Sequence, residues 1–143
     1  MQVIQQNENE YMLRVESGKE LKSELMLWAE KTGIESGYVS AIGACQRATL
    51  GRFLTESNEY EWYELDKQLE LVSLTGNLGV KDDELMLHIH AVLSGEGGKT
   101  VAGHLKEFVV RPTCEVYFRA FKTPIQRSAD PKTGLDLIVG EEV

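Results

Sequence analysis

The pattern of the 143-residue chain predicts a single α+β domain: a mostly antiparallel β-sheet, meander or barrel-like, with one main helix packed on it. Three observations carry this. One segment alone has helical periodicity between start and stop signals. Every later apolar segment alternates with period two. The connections are short turns of Gly, Asn and Asp, which suit hairpins rather than the long crossovers of a parallel sheet.

In chain order, Tyr11–Val15 reads as a strand. Ser17-Gly-Lys-Glu20 matches a capping box, in which Ser17 and Glu20 satisfy free backbone N–H groups. The helix that follows repeats Leu21, Leu25, Trp28 and Ala29 at helical spacing, and Gly33 supplies its stop. Strands are then expected over Gly37–Ile42, Arg47–Leu54, Glu59–Leu65, Gln68–Leu78, Leu85–Leu93, Thr100–Leu105 and Thr113–Phe121. The tail Ser128–Gly140, with a turn at Asp130-Pro131 and an apolar run Leu135–Val139, reads as a final docking segment. No repeat, low-complexity tract or linker divides residues 1–143, so one domain is expected.

Hydrophobic residues make up 42% of the chain, enough for a core without disulfide or metal staples. Cys45 and Cys114 lack metal-ligand spacing and read as buried thiols of a reducing compartment. The first residues hold neither a basic n-region nor an apolar h-region, and no window has the apolar length of a membrane span, so a cytoplasmic location is expected. Fifteen basic against 23 acidic residues give a net charge of −8, which disfavours non-specific DNA binding by the surface as a whole. Residues 99–127 run against that trend, with Lys99, Lys106, Arg111, Arg119, Lys122 and Arg127 against Glu107 and Glu115. They form either a small anion-facing patch or an ordinary solvated strand edge.

All the histidines fall within seventeen residues. Strand alternation puts Leu85, Leu87, Ile89, Ala91 and Leu93 on one face and His88 with His90 on the other, and it puts His104 opposite Val101, Gly103 and Leu105. Ser94-Gly-Glu-Gly-Gly-Lys99 reads as a hairpin loop that pairs His104 with His88 or His90. Neighbours at i and i+2 lie about 6.6 Å apart and direct cross-strand Cβ atoms about 5 Å apart, so three ring nitrogens can meet at one point. Three His ligands with an open fourth position are the pattern of a catalytic zinc site. The alternative is three histidines decorating a polar face or a subunit contact. On the last strand Glu115 and Arg119 share a face. If that strand neighbours the histidines, Glu115 is an acid/base candidate and Arg119 a holder of a small anionic ligand; otherwise they form a rim salt bridge. Tyr60, Trp62 and Tyr63, flanked by acidic residues, read as an aromatic cross-strand cluster rather than a base-stacking platform.

The ordered series Gly51-Arg-Phe-Leu54, Leu69-Glu-Leu-Val-Ser-Leu-Thr-Gly-Asn77, Leu87-His-Ile-His-Ala-Val-Leu93, Val101-Ala-Gly-His-Leu105 and Thr113-Cys-Glu-Val116 resembles the PPC domain, the plants-and-prokaryotes conserved domain, over roughly residues 8–138. The resemblance implies a compact domain that forms homotrimers in its prokaryotic, stand-alone form. It also implies the DNA-associated label that such proteins carry by analogy with plant members, whose AT-hook core Arg-Gly-Arg-Pro does not occur in this sequence. Bacterial relatives share the His-x-His…His set found here as His88, His90 and His104, and plant forms generally lack it. The fold further resembles that of α-acetolactate decarboxylase, a lyase holding zinc through three histidines. That likeness implies zinc as the divalent metal and a metal-assisted reaction on a small oxo- or hydroxy-acid. Three roles thus stand: a trimeric metal-binding domain with or without catalysis, a DNA-associated regulator, and a non-catalytic assembly module.

Overall fold

A computed structural model describes residues 1–140. Nine strands and one helix follow in the order β1 (Gln2–Asn7), β2 (Glu10–Glu16), α1 (Leu21–Thr32), β3 (Gly37–Leu54), β4 (Glu59–Leu65), β5 (Leu69–Lys81), β6 (Glu84–Ser94), β7 (Thr100–Ala120), β8 (Gln126–Ala129) and β9 (Asp136–Val139). The α+β class holds. β3 pairs with both β5 and β7, β5 with β6, and β6 with the first residues of β7, so four strands close into a barrel. Closure pairs each of these four on both sides over part of its length.

Two strands are longer than the sequence pattern indicates. β3 is one strand of 18 residues where two short ones were expected, and β7 is one of 21 residues that absorbs Thr100–Leu105 and all of Thr113–Phe121 but its last residue. Register shifts between Gly43 and Cys45, Cys45 and Arg47, and Thr49 and Leu50 let β3 bend along β7 without breaking the ladder. Each extra residue disturbs the alternation that a sequence reading relies on, which is why both strands looked interrupted. β1, exposed along its whole length, pairs with β2 and gave no such signal.

The helix buries the four residues its periodicity singled out, Leu21, Leu25, Trp28 and Ala29. Trp28 meets Tyr11 and Phe118 edge to face, at centroid distances of 5.0 and 5.1 Å. Leu13, Val39, Leu50, Ile89, Leu105 and Phe108 are sealed into the same core. Gly33 ends the helix at φ 69°, a left-handed conformation that costs glycine little.

The start of the helix differs from the expected capping box. Glu20, not Ser17, is the N-cap, and its carboxylate accepts hydrogen bonds from Lys22 N at 3.1 Å and Ser23 N at 2.8 Å. The same carboxylate accepts from Phe108 N at 3.2 Å, tying the helix start to β7. Ser17 is exposed in the preceding turn. Replacing Glu20 with Ala removes the cap and strands a buried N–H, at a cost of about 2 kcal/mol. Urea unfolding should show a lowered midpoint for Glu20→Ala, and a change under about 0.5 kcal/mol for Ser17→Ala.

Candidate metal centre

Barrel closure brings the histidines together. The ladder between β6 and β7 sets His90 directly opposite His104, one of the two pairings the hairpin loop allowed. His88 lies two residues before His90 on the same face, while Leu87, Ile89, Ala91 and Leu93 point into the core. The ring centroids of His88 and His104 are 5.0 Å apart, and those of His90 and His104 5.3 Å apart. One nitrogen from each ring lies within 4.8 Å of the others.

Nε2 of His88 and Nε2 of His90 are 3.2 Å apart. Two nitrogens bound tetrahedrally at zinc distances stand about 3.3 Å apart, so this separation fits a shared ion. It also fits a hydrogen bond between the rings. Arg127 Nη2 lies 3.4 Å from His88 Nδ1. A guanidinium only donates, so Nδ1 accepts and the proton of His88 sits on Nε2, facing His90. A metal ion held on Nε2 would require the other tautomer, with the proton on Nδ1, and that nitrogen would then no longer accept from Arg127. Burial holds the pKa of His88 below its usual value, helped by the charge of Arg127. Burial, then the other two imidazoles, lowers His104 to about 4. At neutral pH both rings are therefore uncharged, as a metal ligand must be.

The ladder explains what surrounds the three rings. The residue facing His104 on β3 is Gly51, and the residue facing Gly51 on β4 is Trp62. A Cβ at position 51 would stand 2.4 Å from Trp62 Cε3, so only glycine lets this indole fold across the strand. Tyr60 stacks on Trp62 at 4.8 Å, and both rings lean on His104, at 5.1 and 6.0 Å. Lys106 Nζ lies 4.8 Å from the indole centroid, a cation–π contact.

On the other side Asn77 of β5 pairs with His88. The tail, expected only to dock, brings a charged side chain beside His88. Ile125 bonds to Val80 and Ser36, β8 and β9 form a hairpin, and Arg127 is left only 7% exposed. Its guanidinium donates to Asp136 O and to Asn77 Oδ1, each at 2.6 Å. Tyr60, Trp62, His88, His104 and Arg127 line one open cleft of about 740 Å³.

Sequence reasoning took Tyr60 and Trp62 as an edge cluster and missed Asn77 and Arg127 as neighbours of the site. Asn77 stood in view, since it alternates with Thr75 on the polar face of β5. Arg127 reaches the cleft through a single bridge between Val80 and Gln126, which no local pattern announces.

Glu115 and Arg119 are not brought to the histidines. Residues 113–119 of β7 pair with β2 and β3, and only Thr100–His104 pair with β6. Arg119 faces Tyr38, Tyr38 faces Asn77, and Asn77 faces His88, which puts Arg119 three strand spacings, about 14 Å, from the cluster. Glu115 faces Arg14 and Ile42 instead of forming a salt bridge with Arg119. The basic residues of 99–127 form neither one patch nor a strand edge. Lys106 covers Trp62, Arg127 is buried, Arg119 faces Glu10, and β7 is paired along both sides for much of its length.

The sequence pattern that defines the Plants and Prokaryotes Conserved (PCC) domain, the PPC domain named above, matches residues 3–122. The chain belongs to the PPC domain family. A metal-containing protein from Archaeoglobus fulgidus superposes with TM-score 0.86 at 34% identity, over 98% of this chain and all of that one (100%). A PPC protein from Pyrococcus horikoshii gives TM-score 0.86 at 33% identity, over 94% and 93% of the two chains. A conjectured DNA-binding protein from Bacteroides thetaiotaomicron gives 0.91 at 25% identity, over 94% of each. Acetolactate decarboxylase from Bacillus subtilis subspecies spizizenii, at TM-score 0.56 and 12% identity, covering 81% of this chain and 54% of that one, shares the fold alone. Among curated proteins, the bifunctional protein GlmU of a Synechococcus strain is 32% identical over 132 residues, 87% of this chain but only 19% of that relative's length.

This PPC domain holds two further groups that bind metals elsewhere. Cys45 and Cys114 are buried and unpaired. Burial raises the Cys45 thiol to about 11 and the Cys114 thiol to about 12. Neither is a thiolate at neutral pH, so neither competes with the histidines. A thiol-specific disulfide reagent should titrate fewer than about 0.2 thiols per native chain over an hour and two after unfolding.

Proposed function

We propose that this PPC domain binds one divalent metal ion, zinc, through His88, His90 and His104, and works as a homotrimer in the cytoplasm. The observation that carries the reading is the approach of three imidazoles on one barrel face, with ligand nitrogens within 4.8 Å of one another. Two free buried thiols suit a reducing compartment. No helix among the described residues is long and apolar enough to cross a membrane. The archaeal relative described as metal-containing supports the metal.

Three nitrogens leave at least one coordination position open. A metal there would act as a Lewis acid on a carbonyl, or lower the pKa of a bound water. The cleft beside the rings gives a substrate room, which favours chemistry over a purely structural ion. DNA binding is disfavoured by the net charge of −8 and by the dispersal of the basic residues.

The trimer draws support from exposed apolar side chains on the outer faces of β2, β3 and β5, where Met12, Tyr38, Ile42 and Val72 are each at least 42% exposed. Light scattering should give three chain masses for the wild type and one for an Ile42→Glu, Val72→Glu double variant that keeps its circular dichroism.

Metal is tested by elemental analysis of untagged protein refolded with zinc and desalted. One zinc per chain is expected, falling below about 0.2 in His88→Ala, His90→Ala and His104→Ala. Zinc at 100 times its Kd should stabilise the wild type by about 2.7 kcal/mol and the variants negligibly. Wild-type protein that retains no zinc, or variants that retain it fully, would overturn the assignment.

A further inference from the structure

We infer that the cleft beside the three histidines binds a small organic carboxylate. Its carboxylate lies on Arg127, an adjacent oxygen reaches the metal, and its apolar or aromatic remainder rests on Tyr60, Trp62 and the β9 side chains Leu137 and Ile138. This deepens the metal reading and rests on it.

The charge of Arg127 is the first argument. The side chain is 7% exposed, yet its acceptors are neutral oxygens, Asp136 O and Asn77 Oδ1. No carboxylate forms an ion pair with it among the described residues. The carboxylate of Asp136 acts on it from farther off, and Lys81 Nζ holds one of that group's oxygens at 2.6 Å. Arg127 Nε has no acceptor at all. Buried guanidinium groups are ordinarily paired with a carboxylate or a phosphate, because leaving a buried charge unpaired is costly.

The second argument is position. Histidines that bind metals usually present their other ring nitrogen to a carboxylate or a carbonyl. His88 presents it to Arg127, at 3.4 Å. A divalent ion on the three rings would thus have a second cation for a neighbour, and an anion reaching both relieves the repulsion. A carboxylate with a neighbouring carbonyl or hydroxyl oxygen spans such a pair, one end on the fork of Arg127 and the other in the open coordination position.

The walls supply the third argument. The volume of about 740 Å³ lies in the range of small-molecule sites. Apart from the histidines, Asn77, Arg127 and Asp136, the lining is aromatic or aliphatic. Leu137 and Ile138 stay 46% and 54% exposed on a short strand at the sheet's end. Inorganic phosphate would use the charge and leave this apolar surface in water. A ligand with an aryl or alkyl group uses both.

Isothermal titration of zinc-loaded trimer, followed in parallel by indole fluorescence, tests the assignment with phenylpyruvate, pyruvate, phenylacetamide and inorganic phosphate as probes. Phenylpyruvate is expected to bind at one per chain. Pyruvate, which lacks the ring, and phenylacetamide, which lacks the charge, should each bind at least tenfold more weakly, and phosphate more weakly still. Arg127→Gln should lose tenfold or more in phenylpyruvate affinity with its zinc stoichiometry unchanged, and Trp62→Leu should narrow the gap between phenylpyruvate and pyruvate. A zinc-loaded protein that binds none of these, or binds the amide or phosphate as well as the acid, overturns the carboxylate assignment and leaves the metal reading standing. Protein that takes up no zinc fails at the earlier step, before any acid is added, and both readings fall together.

Discussion

The short ladder that joins β6 to the first five residues of β7 is the constraint on which the rest of the molecule depends. It closes the barrel and sets His90 opposite His104. Every other feature of the cleft is referred to that pairing. Gly51 stands opposite His104 because β3 continues the row, and Trp62 reaches His104 because Gly51 has no side chain. A slip of one residue would turn the histidines inward and Ile89 and Ala91 into water. The apolar core therefore enforces the register on which the three rings depend.

Around this ladder the protein sets groups that oppose one another. Burial keeps two of the three imidazoles, His88 and His104, uncharged, a guanidinium is pressed against the first, and an aromatic pair covers the second. Burial that makes the rings good ligands also makes the neighbouring cation expensive. An ion on the rings and an anion on Arg127 would resolve that opposition together. The tail hairpin is thus part of the site, although the family's sequence pattern ends at residue 122.

Much of this was legible in the sequence. The helix face, the polar face of β6 and the pairing of His104 with one of the other two histidines followed from periodicity and a glycine-rich loop alone, while the choice of His90 over His88 came from the ladder. The continuity of β3 and β7 did not, because bulges shift alternation by one residue and mimic strand ends. Glu20 was given its place in the helix start but Ser17 was made the cap, since the motif does not record that Phe108 N competes for the same carboxylate. Glu115 and Arg119 were candidates only if their strand neighboured the histidines, and that strand does pair with β6, but at its opposite end. Arg127 lay beyond any local rule, its place being fixed by one bridge between segments more than forty residues apart.

The account stands on what binds to the three rings, and X-ray absorption at the zinc edge of the loaded protein reads that most directly. It should show three imidazole nitrogens and one or two further oxygen neighbours at about 2.0–2.1 Å, with no sulfur. Sulfur scattering near 2.3 Å, or fewer than three imidazoles, would place the metal elsewhere and contradict the central claim.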